Sequence, residues 1–594
     1  MQKKLVLIVL LGLSQFVEAQ TYHAISFDYS SKIDYYDLSS ITTDTNSNTY
    51  ISGFFNGVFS LGGISIYSGN SSTLNHTMYL AKLNNQSKVI WLKKITEFEF
   101  MSGYSPRNRI QCDKKNNLLL EFDFTDSIIV FNKSYYSLGS SDGILFKLDS
   151  SGNYIWHTTI RGSYGDGFNA GRIGIDSNNN IIVSGGFGGY SGSPPPIAFA
   201  NFGGITLTTQ GADGFIAKYN ENGNILWVRR GGSSNLDDGY NGSLIDVESN
   251  IYSLMQLSPS SLIYFDSINS YLYPQNASSV ATLVKYSKQG QYLWARSLLG
   301  ITFPNIVYNY NFSILKNQNI IVAGSYNSFN SIQIEGYSTF PPNITGTGGT
   351  NEYLSFLVCY DSLGNVLWAK NPHKLLGGTE HPIGVVSSKT NSDFFFVSYF
   401  DNAAIISGND TVYGTGYQNV LIECMDSIGN KKWHKIIKSF PGANACDMAI
   451  NDNNEIIIVG NTSSSTLQCD AKKVNISSTP AMYILKLAPG DVNWNDTLNG
   501  FEDVVANKDQ LVVYPNPTNE WLTINDKWLT INTIEITDML GRVMVSLSNH
   551  INQQIKNSST QPLQIDVSTL PNGIYFIKTI DVKGNQLNAK FVKE

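Results

Sequence analysis

Chemistry needs convergent groups, and this chain offers few obvious ones. Its seven histidines, His23, His76, His157, His373, His381, His434 and His550, are scattered, and the closest pair, His373 and His381, lies eight residues apart in a stretch that reads as a loop. No HExxH pair is present to hold a zinc ion, and no GxSxG elbow to present a nucleophile. The Gly-rich strings near Gly185 and Gly346 are not followed by a helical pattern, so neither reads as a phosphate cradle. Turns such as Asp176 to Asn180 supply oxygen ligands of the kind calcium takes, but lack the DxDxDG order; a polar hairpin turn accounts for them better. No catalytic, cofactor-binding or metal residue is assigned. Aromatics such as Tyr308 and Tyr310, read as loop residues, are able to stack on sugar rings, which makes a glycan one candidate ligand and a protein the other.

The elements that would position such groups come from a repeat. FKLDSSGNYIW ends at Trp156, AKYNENGNILW at Trp227, VKYSKQGQYLW at Trp294, VCYDSLGNVLW at Trp368 and ECMDSIGNKKW at Trp433, with weaker copies ending at Trp91 and Trp494. The tryptophans recur at intervals of 61 to 74 residues. An Asp or Asn (Asp149, Asn220, Asp361, Asp426) closes the first strand in four of these five copies and a Gly precedes the Trp by four residues, the chemistry of a hairpin turn. Each Trp is expected to bury roughly 200 Å² and so to anchor its own small sheet. Lys82, Lys147, Lys218, Lys285 and Lys486 recur at one position of the repeat, where Cys359 and Cys424 stand in two copies; this argues for a structural role. A second half-unit, as in IDSNNNIIVSGGF from Ile175, adds another strand pair, giving four strands per unit with long loops. Composition agrees, with 12% aromatics, 51 glycines and only 15% charged residues.

These units resemble the SBBP-type repeats of seven-bladed β-propellers, over residues 20–497. The resemblance implies an all-β fold of seven blades whose loops form a binding face. Quinoprotein propellers and sialidase Asp-boxes share parts of the Asp, Gly and Trp pattern, but their spacings differ from this one. The segment HAISFDY near Ile25 is a candidate outer strand closing the ring, in competition with the strand around Trp494.

The two ends carry different signals. A lysine pair, an apolar run from Leu5 to Leu13 and small residues before Gln20 read as a secretory signal of residues 1–19, cut between Ala19 and Gln20. No later segment is apolar enough to span a bilayer. A formal charge of -7 without basic runs argues against nucleic acid. Five widely spaced cysteines make no disulfide framework, although Cys446 and Cys469 are a candidate pair. Residues 498–510 read as a linker. From 511 to 594 come YPNP (Tyr514, Pro515, Asn516, Pro517), a turn from Asp538 through Gly541 to Arg542, the run LPNGIY with Leu570, Gly573 and Tyr575, and a terminal KFVK with Lys590 and Lys593. Alternating strands between these turns predict a small Ig-like β-sandwich.

In that order the motifs resemble the type A C-terminal sorting domain of the type IX secretion system of Bacteroidetes. The resemblance implies the type IX machinery as a partner, passage through the periplasm, and a secreted or outer-membrane surface location. The expectation is therefore an exported, non-catalytic binding or adhesive propeller; the alternative is a propeller enzyme acting on polysaccharide with carboxylates at the central channel.

Overall fold

The computed structural model describes strands and most turns within residues 37–487 and 513–593; the longest connections left out are 100–107, 190–196, 273–279, 341–352 and 549–562. Ala19, Gln20, Ile25, Trp494 and Pro515 to Pro517 lie outside the described residues. Among the described residues every regular element is a strand. Two compact units are present, Met1–Val58 with Ile66–Asp503 and Phe59–Ser65 with Val504–Glu594.

Among the described residues the strands of the larger unit form a series of antiparallel repeat sheets of three to six strands, besides small two- and three-stranded sheets in the connections. Each repeat sheet begins with an inner strand: Asp37–Thr43, Asn108–Cys112, Gly174–Ile175, Gly239–Ile245, Val307–Ile314, Glu380–Ser387 and Ala443–Ile450. Next comes a nearly all-buried second strand, such as Leu118–Phe124 or Ile181–Gly188. Apolar side chains on both of its faces fill the spaces between neighbouring sheets. The third strand follows, and in all but the last sheet a described fourth strand carries the repeat Trp.

The turn chemistry forms as the repeat predicts. Asp149 accepts the Ser151 and Asn153 amides at 2.8 and 2.9 Å, Asp361 and Asp426 do the same in their copies, and Asn220 uses its side-chain oxygen likewise. Gly152, Gly223, Gly364 and Gly429 have φ between +75° and +83°. The indoles do more than the expectation asked. Trp91, Trp156, Trp227, Trp294, Trp368 and Trp433 are half-buried; Trp91, Trp294 and Trp433 meet Tyr50, Tyr252 and Phe395 of their own sheets, and five of the six also lean on a neighbour's turn. A Cβ on Gly223 would come within 2.8 Å of the Trp156 ring, and one on Gly364 within 3.0 Å of Trp294. Only a glycine lets that turn pass so close to the ring.

The long loops of the repeat are also something else. Between the second and third strands most repeats insert a hairpin, and that hairpin pairs with the sheet before it. Ile197–Asn201 joins Tyr154–Gly162, Leu262–Tyr264 joins Ile225–Ser233, Ile332–Ile334 joins Tyr292–Gly300, and Thr466–Cys469 joins Lys431–Lys438. Four sheets thereby reach six strands. The inserted pair covers an edge that would otherwise expose unpaired backbone groups.

The smaller unit has two sheets. Val513–Tyr514, Trp521–Ile524 and Leu563–Asp566 make one; Ile531–Asp538, Val543–Ser548, Gly573–Asp581 and Gln586–Lys593 make the other. They share a core of Leu522, Ile524, Ile534, Ile536, Ile577 and Phe591. Asp538 accepts the Arg542 amide at 3.0 Å and its guanidinium at 2.7 Å around Gly541, whose φ is +78°. Tyr575 donates to the Pro571 carbonyl at 2.7 Å and stacks on Phe591, while Leu570 is buried. Lys590 and Lys593 pair across the sheet with Phe576 and Gly573.

Candidate functional site

The inner strands surround a cavity of about 510 Å³. Five of them carry a β-bulge, at Leu38/Ser40, Tyr240/Ser243, Tyr308/Asn311, Pro382/Gly384 and Ala445/Asp447. A bulge re-aims side chains and frees a backbone amide from the ladder. The freed amides find partners on the adjoining strand. Ser243 N donates to the Arg172 carbonyl at 2.8 Å; on the unbulged strand Asn108–Cys112, Ile110 N donates to Ser40 Oγ at 3.2 Å; and Ile41 N donates to Asp447 Oδ2 at 3.1 Å. The last contact joins the seventh sheet to the first. Lys486 repeats the join further out by donating to the Asn85 carbonyl at 2.7 Å.

Counting back four residues from the turn residue that ends each inner strand gives Ser40, Arg109, Arg172, Gly242, Asn311, Gly384 and Asp447. This position varies where the turn and strand positions repeat. Three of these residues, Arg109, Arg172 and Asp447, line the cavity. Arg109 Nη1 lies 2.5 Å from Asp447 Oδ2. Arg172, on the third sheet, donates through Nη2 to the Val385 carbonyl of the sixth at 3.1 Å. Burial brings its guanidinium down to about 10, against the pull of Asp447, so it stays charged at neutral pH. Glu121, buried behind Arg109, is pushed well above the usual carboxylate range by burial and by Asp123.

The recurring lysines are structural, and their partners explain the repeat. Lys82, Lys147, Lys218 and Lys285 each pair with the turn acid of their own sheet, Asp44, Asp113, Asp176 and Asp246, at 2.8 to 3.7 Å. Each also donates to a carbonyl in the next repeat's turn: Ser150, Glu221, Lys288 and Ser362. Asp176 further accepts the Asn178 and Asn180 amides and the Asn180 side chain, so its oxygens already serve the turn that was a calcium candidate.

His373 and His381 are strand residues, not loop ones. His373, on His373–Leu375, is buried between Glu380 at 2.6 Å and Glu423 at 2.8 Å. Burial opposes its charge, but the two carboxylates outweigh that and push it up to about 10. His381 lies between the Tyr353 and Tyr399 rings and is pushed down by burial. Tyr308 and Tyr310 also fall on an inner strand, Val307–Ile314, beside its bulge. The five cysteines are free thiols. A second set of acids, Asp123, Asp142 and Asp166, gathers between the second and third sheets. Asp142 and Asp166 are inaccessible to solvent, and burial, aided by Asp142 and Asp123, raises Asp166 to about 7.

Arg109, Arg172 and Asp447 were invisible to motif reasoning because they belong to no motif. The signal that finds them is the repeat register itself: a cavity-facing position whose residue type changes from copy to copy.

Among proteins of known sequence, an uncharacterized WD repeat-containing protein of Acanthamoeba polyphaga mimivirus is 22% identical over 90% of this chain and 42% of its own length, so the chain spans less than half of that relative. Among solved structures, a member of the DUF4221 family from Bacteroides vulgatus covers 66% of this chain and 96% of its own at 9% identity, with a TM-score of 0.27. An apocarotenoid oxygenase from Synechocystis covers 79% of this chain and 94% of its own at 9% identity, with a TM-score of 0.33. Residues 512–594 match the family described as secretion system C-terminal sorting domain, and this segment marks the protein for export by the type IX system.

Proposed function

We propose that the protein is a secreted or surface-attached, non-catalytic binding protein, built as a closed seven-bladed β-propeller with an Ig-like sorting domain behind it. The single observation that carries the export half is the sorting-domain match over residues 512–594. The binding half is supported by the lined cavity among the inner strands, and ring closure by the bonds from Asp447 and Lys486 to the first sheet. In this reading the chain crosses the periplasm, and the sorting domain is then removed as the protein is released or attached at the surface. Deleting residues 511–594 is expected to leave the protein in the periplasm, read by fractionation and surface labelling. Normal display of the deleted form would refute the export role.

One observation favours a polysaccharide-cleaving enzyme as the second reading, the raised Asp142 and Asp166 carboxyls. Neither lines the cavity and both are sealed from solvent. A general acid must reach its substrate, so the binding reading is preferred.

A further inference from the structure

We propose that the cavity among the inner strands binds a small monocarboxylate, with Arg172 as its principal anchor; this rests on the closed-ring reading above. The argument starts from charge. Four cations, Arg109, Arg172, Lys316 and Lys389, and two carboxylates, Asp246 and Asp447, line the cavity; Asp246 is paired with Lys285 and Lys389 with Asp452. Asp447 is already committed to Arg109 and to the Ile41 amide. Of the five N–H donors on Arg172, one is engaged, by the Val385 carbonyl. Arg172 is half-buried at the cavity wall, so its other donors are able to take a counter-ion. With Arg109 held by Asp447, it is the one guanidinium of the wall without a carboxylate partner among the described residues, which suits a single carboxylate group. A planar guanidinium also meets a carboxylate through two parallel hydrogen bonds.

Size and lining narrow the class. About 510 Å³ is within the usual range for small-ligand sites and is ample for a sugar acid or an amino-acid-sized molecule. Ile110, Leu244, Ile314 and Met448 supply apolar wall around the charged level. The cavity reaches the turn end of the inner strands, where Val247 is 76% exposed and Lys316 stands on the rim. Lys316 Nζ donates to the Thr390 carbonyl at 2.9 Å and has no carboxylate partner among the described residues, so it adds a positive charge at that mouth.

Arginines at one position of two adjoining repeats, against Ser, Gly, Asn, Gly and Asp in the other five, are not required by the repeat fold. The sheets close equally well around residues without charge.

The test titrates the full-length protein with D-glucuronate, acetate, D-glucose and inorganic phosphate by ligand-observed NMR and calorimetry. Glucuronate and acetate are expected to bind and glucose not to. Arg172→Gln is expected to weaken glucuronate about tenfold or more, as loss of a charge-assisted bond does. Should Arg172→Gln melt far below the parent, Arg172→Lys keeps the charge without the planar fork and is expected to weaken binding by a smaller factor. No carboxylate binding, equal binding of glucose or of phosphate, or unchanged affinity in both variants would each overturn the proposal. Spin labels on the exposed Thr45 and Asp452 report ring closure separately, with about 10–20 Å expected for adjoining sheets. A short distance with a flat titration removes only the carboxylate site; a long one removes the propeller reading.

Discussion

Asp166 shows how one side chain carries a pH dependence. It accepts the Gly188 amide at 3.1 Å through Oδ1, while Oδ2 has no hydrogen-bond partner and Asp142 and Asp123 stand nearby. Burial, the main cause, and these two acids favour the neutral form and raise the group to about 7. The unfolded chain ionises near its ordinary value, so between roughly pH 4 and 7 the folded state holds the extra proton. Stability from this group therefore falls as pH rises through that window. Asp166→Asn keeps an acceptor for Gly188 without a charge to bury. Its stability relative to the parent is expected to grow by on the order of 2 kcal/mol from pH 4 to pH 8, measured by urea unfolding at both. A constant difference across pH would mean that Asp166 does not titrate there. Neither this residue nor His373 was legible beforehand, because each owes its state to groups on other strands. The Gly223 and Gly364 turns were legible, since positive φ is written into a local string of Asp or Asn followed by Gly.

At the level of elements, the chain contains its own double substitution. Where the repeat lysine is replaced by Cys359 or Cys424, the turn acid is replaced as well, by Leu315 or Ser388. Both buried charges are absent together. A pair such as Lys147 and Asp113, 2.9 Å apart with side chains 5% and 0% exposed, should therefore be far more costly to break than to remove. Lys147→Cys alone is expected to lose about 3–5 kcal/mol by leaving Asp113 unpaired. Adding Asp113→Leu is expected to recover a large part of that, by equilibrium denaturation. Equal losses for the single and double variants would remove the coupling. The lysine period was legible in sequence, but its partners were not, because they sit on a different strand and in the next repeat. The inserted hairpins read as loops in the sequence although a strand such as Ile197–Asn201 alternates; its pairing with the edge strand Tyr154–Gly162 is a tertiary property.

Across the whole larger unit, Asp447 is the residue that holds its two ends together. It receives the Ile41 amide and Ser40 hydroxyl of the first sheet and Arg109 of the second. Asp447→Ala is expected to cost about 2–3 kcal/mol, because it removes a charged hydrogen-bond partner from half-buried Arg109 and the acceptor of a buried amide. Asp393→Ala, which breaks a pair with the exposed Lys432, is expected to cost about 1 kcal/mol or less. Urea midpoints of the two variants check the order, and similar losses would mean that the first and last sheets are not joined through this carboxylate. The all-β repeat and its strand pairs followed from the Trp and turn periods. The contents of the cavity did not, because Arg109, Arg172 and Asp447, more than 60 residues apart in the chain, meet only when the strands are brought side by side.

The hairpin that four of the repeats lend to their predecessors also fixes an order in time. A sheet is not finished when its own residues have been synthesised; it waits for its successor to emerge and cap it. A growing polypeptide therefore always trails one bare strand, and truncation within the repeats leaves a sticky border available to the nearest stranger.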